Sequence, residues 1–182
     1  MKSSRIAFFI LIWGLVIGCG GGGGSGSSGG GGIPPAPATN NVLSITVNGP
    51  GLNNSYPNEP CVSVTICSPG TTTCQTINDI VLDTGSFGLR IFKQELNVPL
   101  TQVSISSSSL AECIQYADGS SDWGPIQTAN VVLGNEPAVQ VPIQVIDSTL
   151  FNTTALSICG IPHQSPTDAG YNGILGGRPL RA

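Results

Sequence analysis

The sequence predicts an all-β domain of short strands, and three observations carry that expectation. The first is composition. Charged residues are only 9% and aromatics 5% of the 182 residues, while Gly (25) and Pro (14) are abundant. Lys, Glu and Met, which favour helices, are scarce, and Val, Ile, Thr and Ser dominate, as strands and turns require. The second is alternation with a period of two: Val62, Val64 and Ile66 are separated by Ser63 and Thr65, and Val139, Val141, Ile143 and Val145 by Gln140, Pro142 and Gln144. The third is the turn-rich stretches between such runs, including Ser68-Pro69-Gly70 and Asp118-Gly119.

The chain opens with a targeting segment. Lys2 and Arg5 form a positive n-region, and residues 6–17 are almost wholly apolar. That length suits a signal-peptide core and falls short of the roughly 20 residues a spanning helix needs. Val16-Ile17-Gly18-Cys19 resembles the lipobox of bacterial lipoproteins, which implies a signal peptide over 1–18 and lipidation of Cys19. Gly20 stands where an Asp would direct retention at the inner membrane, so the resemblance implies the outer membrane of a Gram-negative envelope. Residues 20–32 are nearly pure Gly and Ser, a flexible coil, and Ile33-Pro34-Pro35-Ala36-Pro37 stiffens the chain before the folded part. Residues 19–40 thus read as a lipidated tether that lets a domain work away from the membrane surface. Loss of Lys2 and Arg5 moves the formal net charge from −4 to −6. With no basic patch, nucleic-acid binding is not expected.

The folded domain is expected over 41–182. Residues 42–47 read as a first strand, 61–67 as a second, and 74–82 as its hairpin partner, ending in Ile80-Val81-Leu82. Residues 111–116 start another hairpin with Asp118-Gly119 at its turn, 126–133 form the next strand, and 139–145 a half-buried one, with Pro142 marking an edge or bulge. Short helices fit only at 92–96 and 147–154. Of the six Cys, Cys67 and Cys74 flank a turn and are placed to staple a hairpin. Cys113 with Cys159 is a second pairing, which leaves Cys61 over once Cys19 is lipidated. No cofactor is implied. A metal site is not expected either, because there is no Cys-x-x-Cys unit and the single His is His163.

The segment with chemistry in it is Asp83-Thr84-Gly85-Ser86, which follows the apolar strand end. A carboxylate in such a place needs hydrogen bonds around it. Thr84 and Ser86 bring hydroxyls, and Gly85 lets the backbone turn tightly. The wider pattern resembles the pepsin-like and retropepsin-like aspartic proteases over residues 61–176. After Asp83 come Gly88-Leu89 and Ile91-Phe92. Tyr116-Ala117-Asp118-Gly119-Ser120 resembles the flap hairpin, where Tyr116 and Gly119 would close over substrate. Gly173-Ile174-Leu175-Gly176 resembles the apolar-apolar-Gly element beside the catalytic loop. The phrases CQTINDIVLDTGSFGLR, AECIQYADGSSDWG and GYNGILG are similar to a family of uncharacterised bacterial lipoproteins with this pattern. The resemblance implies a single pepsin-like or retropepsin-like lobe, a closed or partly open barrel of short strands, with Asp83 as the catalytic acid.

Aspartic-protease chemistry uses two carboxylates that share a proton and hold a water between them. The sequence has one Asp-Thr-Gly. Asp168-Ala169-Gly170 lacks the hydroxyl and the preceding apolar strand, and the remaining acids read as solvated surface charge. After Gly176 the pattern changes to Gly177-Arg178-Pro179-Leu180-Arg181-Ala182, which reads as a truncated lobe. The expectation is an aspartic-peptidase-like envelope lipoprotein, inactive as an isolated chain. It would be an aspartic-type endopeptidase only when a homodimer or a missing second lobe supplies the other Asp. The alternatives are a homodimeric retropepsin-like protease and a non-catalytic envelope module that binds peptide or another ligand.

Overall fold

The alternation that begins at Cys61 becomes the spine of the sheet. In the computed structural model, which describes residues 42–47, 58–150, 157 and 159–178, this run forms β2 (Pro60–Cys67). Val62, Val64 and Ile66 on it are at most 2% exposed. A short edge strand, β1 (Thr46–Val47), pairs with its start. A turn at Ser68-Pro69-Gly70 leads to β3 (Cys74–Asp83), antiparallel to β2, with a disulfide joining the opposed Cys67 and Cys74. Then come β4 (Phe87–Phe92), a 3-10 turn (Lys93–Glu95), β5 (Thr101–Gln102), β6 (Ser104–Ile105), β7 (Ser108–Ser109), β8 (Ala111–Gln115) and β9 (Ser121–Leu133). The chain continues through β10 (Val139–Ile146), a 3-10 turn (Ser148–Leu150), helix α1 (Pro166–Ala169) and β11 (Gly173–Gly177).

The strands run β2-β3-β11-β4-β10-β9, and β9 returns to β2, which closes a six-strand barrel. With 52% strand and 10% helix, the all-β class holds. Val62, Val64, Ile66, Ile80, Ile91 and Ile143 fill the interior, and closure leaves only short edges to protect.

Two irregularities position the loop after β3. The first is a bulge. Val62 pairs with Ile80 and Val64 with Ile77, so β3 carries one residue more than β2 between these pairs. Asp79, at φ +55°, absorbs the extra residue; Asp tolerates that left-handed conformation better than most side chains. The bulge reverses which face odd-numbered residues occupy. Ile77 and Ile80 both point into the core, and Leu82 follows Ile80 inward, so Asp83 emerges on the outer face.

The second irregularity is β11, which lies between β3 and β4, parallel to the first and antiparallel to the second. The consecutive strands β3 and β4 therefore never pair with each other. Glycines permit the insertion. A Cβ on Gly176 would sit 2.4 Å from Phe87 backbone, and one on Gly173 would sit 2.3 Å from the Arg90 carbonyl oxygen. Beyond β11, the Arg178 amide donates to the Ser86 carbonyl at 2.9 Å and so holds the loop down.

Several elements differ from the sequence expectation. The first strand shrinks to two residues, because Val42, Ile45 and Val47 are more than half exposed and gain little from pairing. The partner of β8 and the strand at 126–133 are one continuous β9. Along β10, which β4 joins only from Gln144 onward, the alternation breaks down: Ile143, Gln144, Val145 and Ile146 are all buried, because Gln144 donates to the Glu112 carbonyl of β8 and Ile146 packs with Phe92 and Ala169 on the second face. Pro142 precedes that junction, where β10 has β9 alone as partner. The short helix expected at 92–96 appears as a 3-10 turn, and the described part of the one expected at 147–154 holds a 3-10 turn at Ser148–Leu150. Helix α1 was not expected, although Ser165 caps it, Pro166 opens it and Gly170 ends it at φ +86°. Asp168-Ala169-Gly170 belongs to α1 and its cap. The run of Ser residues forms the β6–β7 hairpin, with Ser106 and Ser107 both at positive φ. The segments expected as signal peptide and tether, Cys19 between them, and residues 151–154 lie outside the described residues.

The close approach at Gly176 gives a direct check. Gly176→Ala should destabilise the protein by about 1–3 kcal/mol or more by overpacking, measured by thermal or urea denaturation. Gly119→Ala, where a Cβ meets nothing within 4 Å, should cost less despite its positive φ.

Candidate functional site

Asp83 ends β3 at the floor of a cleft. Its Oδ1 accepts the Gly85 amide hydrogen at 2.8 Å, so the loop's own backbone orients the carboxylate. Above it hangs the tip of the β8–β9 hairpin. The Tyr116 amide donates to the Ser120 carbonyl and the Gly119 amide to the Tyr116 carbonyl, and Gly119 turns at φ +91°. Asp118 Oδ1 accepts from the amide and hydroxyl of Ser120, and these bonds hold its carboxyl below the usual range. Asp83 and Tyr116 each line two cavities, so the hairpin tip divides one cleft into two halves.

One half, of about 410 Å³, is bounded by Glu59, Asp83, Asp118, His163 and Tyr171 together with Val81 and Ile174. The other, of about 480 Å³, is bounded by Asp83, Ser86, Phe87, Arg90, Tyr116 and Arg178. The first half is rich in carboxylates. The second carries both guanidinium groups found near the cleft.

Behind the hairpin lies a polar cluster that the sequence did not reveal. Asp122, at the start of β9, is fully buried. Its Oδ2 accepts from the Tyr116 hydroxyl at 2.6 Å and the Tyr171 hydroxyl at 3.1 Å, and its Oδ1 meets His163 Nδ1 at 2.9 Å. A buried carboxylate is costly unless its oxygens are saturated; these three partners saturate it. Burial, and then the charge of Asp122, raise both tyrosines above the usual phenol range, so they remain donors. His163 comes from a segment tied to β8 by the Cys113–Cys159 disulfide, 46 residues apart in sequence. Closing a loop of that length is worth about 4 kcal/mol in the chain-entropy account. The hairpin is thus anchored at its tip through Tyr116 and along β8 through Cys113.

Of the residues singled out from sequence, Asp83, Gly85, Ser86 and Tyr116 line this cleft, whereas Gly119 serves the hairpin turn and Thr84 lies beside Gly177, off the cleft wall. Cys67 and Cys74 lie at the far end of the β2–β3 hairpin, one strand length from Asp83. Cys61 is buried and belongs to neither disulfide. The reading of the other acids as solvated surface charge fails for two of them. Asp122 is enclosed as described. Asp147 is 5% exposed; burial raises its carboxyl, but hydrogen bonds from Lys93 Nζ, at 2.6 Å, and from Thr149 outweigh that and hold it below the ordinary range. Arg90, Glu59, His163 and Tyr171 were also missed. For Asp122 a signal existed. Tyr116 faces Ser120 across the turn, so Asp122 is its diagonal neighbour on the same face of the hairpin.

The fold and site together define a closed β-barrel domain with a hairpin-covered, carboxylate-floored cleft. The family model described as Protein of unknown function (DUF3443) matches residues 37–179, and the chain belongs to that family. A search of curated proteins gave no match.

The cluster makes a pH prediction. The hydrogen bond to Asp122 raises the His163 pKa above its ordinary 6.5, against the opposing effect of burial and with help from the charges of Asp122, Asp168 and Asp118. A raised folded-state value means that the stabilisation is complete below 6.5 and is lost as pH rises through the folded-state value. Urea denaturation should therefore show stability declining from about pH 6.5 upward, and His163→Gln should abolish that decline.

Proposed function

We propose that the chain is an exported, lipid-anchored aspartic-peptidase-like protein of the cell envelope. It contributes one half of a two-carboxylate site at Asp83 and receives peptide in the cleft above. The observation that carries this reading is the position of Asp83: outside the core, oriented by the Gly85 amide, and beneath the Tyr116–Gly119 hairpin tip. The insertion of β11 between β3 and β4 also fits the resemblance to pepsin-like lobes.

In such chemistry one carboxylate takes a proton from the attacking water while its protonated partner polarises the peptide carbonyl. The partner must accept and return a proton. Asp118 is a poor candidate, because the Ser120 hydrogen bonds favour its ionised form. Asp122 is enclosed by Tyr116, Tyr171 and His163. The second carboxylate then comes from another lobe or from Asp83 of a second copy related by a twofold axis.

Cleavage of a quenched fluorescent peptide at about pH 4, followed over a protein concentration series, tests this. The monomer should not cut. Where dimers form, activity should rise with the square of concentration, respond to pepstatin, and fall by about a thousandfold or more in Asp83→Asn. Cleavage by a monomer, or cleavage that survives Asp83→Asn, overturns the half-site.

Export is supported by the n-region, apolar run and lipobox-like Cys19. The two disulfides, Cys67–Cys74 and Cys113–Cys159, fit an oxidising compartment. Mass spectrometry of the envelope protein should find a diacylglyceryl group on Cys19. Cys19→Ser should move the protein to the aqueous phase of a detergent partition.

A further inference from the structure

Arg90 lies on β4, between Ile174 of β11 and Gln144 of β10, and is only 2% exposed. A buried guanidinium ordinarily has a carboxylate or several carbonyl oxygens around it. Arg90 belongs to neither of the ion pairs among the described residues, Lys93–Asp147 and His163–Asp122. Its Nε and Nη1 have no hydrogen-bond partner in the protein. The Phe87 ring, 5.8 Å from its Cζ, offers only the weaker attraction of a π face. The neighbouring Ser86 Oγ is likewise buried and without a partner. Both residues line the cavity of about 480 Å³ beside Asp83, on whose wall Arg178 supplies a second guanidinium and Asp83 is the one carboxylate. Arg178 is positioned by a bond from its Nη1 to the Gly85 carbonyl at 3.3 Å.

We propose that this half of the cleft is a subsite for a peptide carboxylate, held by Arg90 with Ser86 and Arg178. The proposal deepens the peptide-cleft reading and rests on it for the peptide; the anion chemistry stands on the unpartnered donors alone. A guanidinium is a planar fork that matches a carboxylate with two parallel hydrogen bonds, and a serine hydroxyl adds a third donor. Low polarity around Arg90 strengthens the attraction. The opposite half, with Glu59 and Asp118, offers no such welcome to an anion. The carboxylate could be an acidic side chain or a peptide C-terminus.

The test uses the full chain and fluorescence anisotropy of labelled, C-terminally amidated hexapeptides in which one Glu moves through an otherwise neutral sequence. Gln counterparts and a Gln peptide with a free C-terminus complete the set. At one register Glu should bind about tenfold tighter than Gln, and Arg90→Gln should erase the preference. A preference for the free C-terminus alone, erased by the same variant, assigns the site to chain ends. Equal binding of every peptide overturns the subsite and leaves the peptide cleft standing. If no peptide binds but free glutarate raises the melting temperature of the wild type and not of Arg90→Gln, the carboxylate site stands and the peptide reading falls. If neither ligand acts, both fall. Should Arg90→Gln fail to fold, Ser86→Ala and Arg178→Gln decide, and an unchanged Glu preference in both overturns the proposal.

Discussion

Strand β11 has hydrogen-bonding neighbours on both sides, and the barrel closes because it fits between them. Without it, β3 and β4 would fold back as an ordinary hairpin, and the Asp83 loop would be a plain turn at its tip. With it, the loop must span the width of a whole strand. Its middle is then tied to β11 through the Arg178 amide and to Asp83 through the Gly85 amide. Two glycines make the fit, since a methyl group at Gly173 or Gly176 would overlap backbone of β4. The rigid seat of the carboxylate is therefore a consequence of backbone packing.

The bulge at Asp79 is the second condition. A strand without it would carry Asp83 on the face of Ile77, inside the barrel, where an ionised carboxylate has no solvation. One residue in a left-handed conformation moves the acid to the cleft while Ile80 and Leu82 stay inside. Strained or unusual backbone near a site is common, because it re-aims side chains that a regular strand would misplace.

The cleft is polarised along its length. Glu59 and Asp118 face one side of Asp83, Arg90 and Arg178 the other, and the Tyr116 hairpin tip sits between. Asp122 connects that tip to His163 and Tyr171. The cover over Asp83 is thus held by a buried polar cluster whose strength varies with the protonation of His163. The hairpin that forms the cover and the His163 segment that anchors it come from parts of the chain far apart in sequence, joined by the Cys113–Cys159 disulfide.

The sequence by itself determined the strand class, the β2–β3 and β8–β9 hairpins and the identity of the Asp83 loop. Each depends on near neighbours: alternating side chains, turn residues and cysteines flanking a turn. It also marked Gly173-Ile174-Leu175-Gly176 as notable. Tertiary structure alone decided that β11 enters between β3 and β4, that β9 is one long strand, and that Asp122, His163 and Tyr171 meet. The reason is physical. Period-two alternation reports which face of a strand is apolar, but not which strands become neighbours, and β10 loses even that alternation where β8, Phe92 and Ala169 cover its second face. Arg90 was illegible for a related cause: on a strand it reads as a solvent-facing charge, and only the tertiary fold brings Phe87 and the β8 segment over it on the outer face of the barrel.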